Sequence, residues 1–304
     1  MAAGLLQPDP SLDALLGRCR FPPPGAELCC GVSGGADSLA LLALAVRAGC
    51  VVTAVHVDHG LRSGSDTEAD VVADAARRLG AGFRAERVEV APGSNLEARA
   101  RAARHAVLGS RAALGHTADD QAETVLVNLL RGAALDGLAG MRPGPRHPIL
   151  ALRRADTHAL CAALGLDPVH DPSNTDPAFV RNRVRHELLP LMADIGGRDP
   201  VPLLARQADV LRTVADHLGD EAAGVDPTDA VALRRAPVPV AVEALRRWLR
   251  TTSAEGHPPD AATVERVMAV ARGENRATDV GGGWRVARTQ RRLRLDAPEG
   301  HGGV

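Results

Sequence analysis

The chain contains no lysine and no tyrosine, and all 36 of its Lys and Arg positions are arginine. Without lysine there is no Schiff-base residue and no lysine nucleophile. A Walker A phosphate loop, which needs a lysine, is also excluded. Aromatic residues are only 2% of the 304. Stacking of bases on aromatic platforms is therefore not the main route to nucleic acid. The five cysteines, Cys19, Cys29, Cys30, Cys50 and Cys161, form no C-x-x-C pair. Zinc-ribbon and iron–sulfur readings thus lack their ligands. Cys29 and Cys30 lie in an apolar run and are expected to be inert core thiols. No signal-peptide pattern and no apolar run long enough to span a bilayer is found. A reducing cytoplasm and no membrane partner are expected. A net charge of −1 leaves no global basic field to attract a polyanion.

What the chain does have begins at Ser33-Gly34-Gly35-Ala36-Asp37-Ser38. An apolar run precedes this hexapeptide and a longer apolar run, 39–46, follows it. That pattern predicts strand, loop and helix. Two adjacent glycines let the backbone turn tightly and approach a ligand. The loop N–H groups and the start of the helix then form a phosphate site. Ser33 and Ser38 add hydroxyl donors, and the Asp37 carboxylate suits Mg²⁺ beside phosphates. In this context the hexapeptide resembles the pyrophosphate-binding PP-loop of the N-type ATP pyrophosphatases. That likeness implies ATP as substrate, an adenylated oxygen and released pyrophosphate.

Strands are predicted at 26–32, 51–57, 83–90 and 112–116, and helices at 37–48, 66–80, 95–111 and 118–130. Such alternation implies an α/β fold, a doubly wound parallel sheet with ligands beyond the strands' carboxyl ends. Helices follow at 154–164 and 179–193, and 194–200 reads as a hinge. Beyond it come helical patterns at 201–222, 240–252 and 260–272. The β-type ending, 277–295, turns at Gly281-Gly282-Gly283. The expected division is a catalytic ATP-binding domain over 1–200 and a smaller, mainly helical domain over 205–304.

Further polar clusters fall at the predicted strand ends. His56-Val57-Asp58-His59 lacks the ligands for a zinc site and reads better as an adenine or loop-positioning element. On helix 95–111, Arg101 either pairs with Glu97 four residues back or faces phosphate as a bidentate fork. His116, Asp120 and Glu123 have the spacing of one helix face. Capping accounts for one of the Asp119 and Asp120 carboxylates but not for the whole group. Asp37 and Asp120 can meet across the crevice, one serving Mg²⁺ and the other an ammonium group. Asp171-Pro172-Ser173-Asn174-Thr175-Asp176 is a turn or an N-cap. After it, Arg181, Asn182 and Arg185 form either a solvated face or a phosphate-ester reader.

In order along the chain, the SGGADS loop, HVDHGLR, EARARAAR, GHTADDQAET with Leu130-Arg131-Gly132, DPSNTD and RNRVRHELLP resemble the tRNA(Ile)-lysidine synthetases. The likeness spans roughly 28–192, and 205–304 resembles that family's first C-terminal domain. It implies ATP-dependent joining of free lysine to C2 of the wobble cytidine of an isoleucine tRNA with a CAU anticodon. Ser33 to Ser38 would bind ATP, with Asp37 serving Mg²⁺ and pyrophosphate. Arg101 would bind the triphosphate or adenylate. His116 and Asp120 would line the lysine and adenylate site beside Glu123. Arg131, Arg181, Asn182 and Arg185 would face the tRNA. Thr117 stands where the family often has a second histidine, and His105 where it often has tyrosine. A cytidine thiolase of the same loop class is disfavoured by the missing C-x-x-C pairs. A GMP- or NAD-synthetase type lacks its glutaminase segment here. A non-catalytic binding module would not need Asp37, Arg101, His116 and Asp120. Oligomeric state is not legible, and a homodimer stays open.

Overall fold

Four strands, β1 (Glu27–Gly31), β2 (Val51–Asp58), β3 (Gly82–Arg87) and β4 (Ala113–Leu114), make one sheet in the order β3-β2-β1-β4. Every pairing in it is parallel. The computed structural model describes residues 10–58, 65–88, 99, 103, 106–169, 175–250 and 259–298. The side chains of β1 and β2 divide between two cores, as strands buried on both faces require. Leu28, Cys30, Val52 and Ala54 pack with Leu39, Leu42, Val72 and Leu160. Cys29, Val55 and Val57 pack with Leu108 and Leu114 on the other side.

The helices of the first core are α1 (Pro10–Leu16), α2 (Ala36–Arg47) and α3 (Ser65–Leu79). α2 is nearly all Leu, Ala and Val and is buried along its length, which is why its sequence shows no polar face. α4 (Ala118–Leu130) follows β4, and a short α5 (Leu135–Leu138) follows it. Next comes α6 (Arg154–Ala163), which brings Leu160 and Cys161 into the core with α2. Of the helix expected over 95–111, the described residues 99, 103 and 106–108 are helical and 109–111 are not. Arg101, Glu97 and His105 lie outside the described residues, as do His59 and 171–174 of DPSNTD.

The helix predicted over 179–193 forms, and its backbone stays helical through 180–196 while its hydrogen-bond pattern changes. It runs as α7 (Val180–Arg183), a π-helical turn (Val184–Leu188) and α8 (Leu189–Gly196). Pro190 has no N–H to give the carbonyl four residues back, and the wider turn absorbs that loss. α9 (Val201–Ala223) is a single long helix. By contact density the chain forms two compact units, 1–210 and 211–304.

The second unit carries α10 (Ala230–Arg235), α11 (Val238–Leu249) and α12 (Ala261–Arg272). Its antiparallel sheet is β5 (Ala277–Gly281), β6 (Trp284–Thr289) and β7 (Arg292–Asp296) in sequential order. Leu233, Leu245, Val267, Val286 and Leu293 form its core. α10 was not expected from periodicity, since it has only 6 residues. Its local signal is the Asp229 N-cap, whose carboxylate accepts from the Val231 and Ala232 N–H groups.

Candidate active site

The loop from Ser33 to Ser38 leaves β1 and enters α2. Gly34 has φ +89°, a conformation open to glycine, and a Cβ there would also crowd Val169. Ser38 Oγ donates to the Gly35 carbonyl at 2.8 Å and accepts from the Ser33 N–H at 3.2 Å. The loop is thereby preshaped before any phosphate arrives. His56 supports it from the neighbouring strand. Its Nδ1 lies 3.0 Å from the Val32 carbonyl, so that nitrogen carries the hydrogen, because a carbonyl can only accept. Gly115 precedes α4 and touches the start of α2, where a Cβ would come within 2.7 Å of the Asp37 carbonyl. This close approach brings the two helix N-termini, and their carboxylates, to one place.

Asp37 projects from the first turn of α2. Its Oδ1 is 2.5 Å from the Thr157 hydroxyl, and its Oδ2 is 3.5 Å from Arg154 Nε. Asp120 lies in the first turn of α4, where Thr117 is the N-cap. Asp120 Oδ2 accepts both the Thr117 N–H and the Thr117 hydroxyl at 2.9 Å. Asp120 Oδ1 faces Arg154 NH2 and Arg181 NH2, each at 3.2 Å. Glu123, one turn on, is 0% exposed. Its two oxygens receive Arg181 Nε and Arg185 Nε at 2.7 Å each, and Arg154 at 3.3 Å. Three guanidinium groups thus balance three carboxylates. Buried charges are tolerated only when paired in this way.

The two aspartates are pushed in opposite directions. Burial raises the Asp37 carboxyl above its ordinary range; the Thr157 hydrogen bond works against this and the negative Asp120 adds to it. Burial would raise Asp120 too, but Arg154 and Arg181 outweigh it and hold that carboxyl below its ordinary range. Neighbouring Asp119 is also held low, against its burial, by Arg153 and the Arg154 N–H. Carboxylates driven apart in this way take different chemical roles.

The structure brings Asp37, His116, Asp120, Glu123, Arg181 and Arg185 into one region of the first unit. It alters several readings of them. His116 precedes α4, so it is not on the helix face shared by Asp120 and Glu123. Its Nδ1 is 3.0 Å from His147 Nδ1, so one of the two rings must donate to the other. Arg181 and Arg185 do not form a solvated face: both are turned onto Glu123. Asn182 is buried and donates to the Asp176 carbonyl at 2.9 Å, bracing the preceding turn. Arg131 caps the exposed end of α4.

Four residues were not singled out from sequence: His147, Arg153, Arg154 and Thr157. Arg153 holds Asp119 through two parallel contacts of 3.0 Å. Arg154 and Thr157 are one turn apart on α6 and both reach Asp37. A partial signal existed, since Thr117-x-x-Asp120 is a capping-box pattern and marks where α4 begins. Nothing in sequence marks Arg154 as a neighbour of a loop more than 100 residues away.

As a metal site, the region offers one carboxylate, Asp37, at the end of the Ser33–Ser38 loop. Among the described residues no three His, Cys, Asp or Glu side chains are placed to hold a metal ion together. That donor set fits Mg²⁺, which takes one or two carboxylates and completes its shell with substrate phosphates and water.

Residues 11–192 match the family profile described as a PP-loop domain. The chain is 41% identical over 294 residues to a tRNA(Ile)-lysidine synthase of Nocardia farcinica, covering 90% of this chain and 92% of the relative. It is 42% identical over 275 residues to a tRNA(Ile)-lysidine synthase of Thermobifida fusca, covering 82% and 84%. Among solved structures, a U34-tRNA thiolase from Methanococcus maripaludis with its [4Fe-4S] cluster superposes with a TM-score of 0.53 at 16% identity. That match covers 66% of this chain and 78% of the thiolase, and it speaks to the fold alone.

Proposed function

The chain belongs to the tRNA(Ile)-lysidine synthase family, and from that membership we propose that it joins free lysine to C2 of the wobble cytidine of an isoleucine tRNA with a CAU anticodon. One observation carries the reading to the level of residues. The phosphate-loop carboxylate, Asp37, and the Asp120–Glu123 pair share a single guanidinium, Arg154. This shared contact supports an ATP-activation site and an amine site side by side.

In the first half-reaction the cytidine C2 oxygen attacks the α-phosphate of ATP and pyrophosphate leaves. Loop N–H groups and the serine hydroxyls hold the phosphates and stabilise charge on the leaving group. Mg²⁺, when bound at Asp37, supplies further charge neutralisation. Arg101 is assigned to the triphosphate or adenylate from the family likeness. In the second half-reaction the lysine ε-nitrogen bonds to C2 and AMP departs with the former C2 oxygen. The amine must first lose a proton, since its free pKa is about 10.4, and a nearby carboxylate or His116 accepts it. Asp120 receives an ammonium of lysine. Arg181 and Arg185 border the reacting nucleotide through Glu123.

The tRNA is held by local arginines, since the chain as a whole is near neutral. Arg131 is the leading candidate in the first unit, and the second unit is assigned to tRNA. Within that unit Arg247 is partly committed, donating to the Gly219 carbonyl at 2.6 Å. No helix among the described residues is long and apolar enough to cross a membrane.

The reading predicts pyrophosphate release from ATP that requires the cognate tRNA; a binding module would release none. Asp120→Asn keeps shape and removes charge, and loss of a charged hydrogen bond costs about 1.5–3 kcal/mol. It should slow lysine transfer more than tRNA adenylation. Equal loss of both half-reactions would reassign Asp120 to the nucleotide. Arg131→Ala should weaken tRNA binding and reduce the slope of log affinity against log salt by about 1. ATP affinity should stay unchanged, and an unaltered slope would remove Arg131 from the tRNA surface.

A further inference from the structure

Arg154 is the one described side chain that touches all three carboxylates of the site. Its Nε faces Asp37 at 3.5 Å, and its NH2 faces Asp120 at 3.2 Å and Glu123 at 3.3 Å. These contacts are long for charged hydrogen bonds, which close to about 2.7–2.9 Å. By contrast, Arg181 and Arg185 each hold Glu123 at 2.7 Å. The backbone beneath Arg154 is fixed, with its N–H on Asp119 at 2.8 Å and its neighbour Arg153 clamped to the same carboxylate. A loosely held guanidinium therefore stands on a rigid helix start.

The charge balance gives this looseness a consequence. Asp120 and Glu123 are already neutralised by arginines, and Asp120 Oδ2 is saturated by Thr117. A lysine ammonium arriving there would meet three guanidiniums and no free acceptor. One arginine has to leave first. Of the three, Arg154 is the one that also faces Asp37, at the end of the Ser33–Ser38 loop. A triphosphate in the Ser33–Ser38 loop would offer it oxygens in bidentate geometry.

We propose that Arg154 exchanges the Asp120–Glu123 carboxylates for the phosphates of bound ATP and so uncovers the amine site for lysine. Nucleotide and lysine then bind cooperatively, and the nucleotide is the ligand that opens the site. The inference rests on the lysine-ligating reading above and adds a substrate-contacting residue to it.

The test uses the full chain with Mg²⁺ and a non-hydrolysable ATP analogue. Free-lysine affinity is measured by calorimetry with and without the analogue. Wild type should bind lysine about 5–150-fold more tightly when the analogue is present. By linkage, lysine should tighten the analogue by the same factor. Arg154→Gln should bind the analogue at least about tenfold more weakly, and its lysine affinity should no longer respond to the analogue. A coupling factor of one in wild type overturns the proposal, and this arm needs no folded variant. A folded Arg154→Gln protein with wild-type coupling also overturns it. Lysidine formation by wild type is scored separately. Its absence would sink the functional reading, whereas its presence with no coupling would sink this inference alone.

Discussion

Glu123→Ala should destabilise the first unit by about 3–5 kcal/mol, the usual cost of removing one partner from a buried ion pair. Glu123 is fully buried, and both its oxygens are occupied by Arg181 and Arg185, with Arg154 adjoining. Removing it leaves three guanidiniums facing one another with only Asp120 and Asp37 to balance them. This cost comes from the broken pairing. The intact cluster need not add net stability, because its desolvation cost offsets its attraction. Glu123→Gln, which keeps the shape, should fall between wild type and alanine. Denaturant unfolding followed by a probe in residues 1–210 checks this. A loss below about 1 kcal/mol, the range of exposed pairs, would show that the cluster is solvated.

Asp37→Asn should behave in the opposite way, losing activity while keeping stability. Burial raises the Asp37 carboxyl, so folding disfavours its charged form. Any stability from this group is present at low pH and lost as pH rises through the raised value. At neutral pH, asparagine therefore removes a penalty. Asp120 is the reverse case: its carboxyl is held low, so its contribution is present above the ordinary carboxylate range and lost as pH falls. Removing one preorganised electrostatic group commonly costs 10²–10³-fold in rate, that is about 2.7–4 kcal/mol. tRNA-dependent pyrophosphate release by Asp37→Asn should fall at least that far, with an unfolding midpoint equal to or above wild type. Near-normal turnover in the folded variant would remove Asp37 from the nucleotide site.

The contrast between these two acids was only partly legible in the sequence. The loop announced itself because strand, Gly-Gly turn and apolar helix are contiguous, and local pattern specifies local geometry. Asp120 and Glu123 were visible as an i, i+3 pair for the same reason. What they bind was not visible, because Arg154, Arg181 and Arg185 arrive from α6, α7 and the π-helical turn. Arginines on such segments read as solvated faces until the tertiary fold turns them inward. The π-helical turn inside the helix over 180–196 was concealed similarly: Pro190 is tolerated in a first helical turn, and only the structure shows the wider turn before it. Gly115 lies in the strand predicted over 112–116, with nothing to single it out. Its contact with the Asp37 backbone shows it to be the spacer that lets the two site helices converge.

Lysidine, made from cytidine, lysine and ATP, is the product proposed for this site. Mass analysis of the wobble nucleoside, after incubation of the full chain with ATP, Mg²⁺, lysine and an isoleucine tRNA bearing a CAU anticodon, tests it most directly. The expected result is a nucleoside heavier than cytidine by lysine less water, formed only when ATP and lysine are both present, with the displaced C2 oxygen recovered in AMP. Unmodified cytidine after full incubation with active, folded protein, or a sulfur-bearing product in its place, would contradict it.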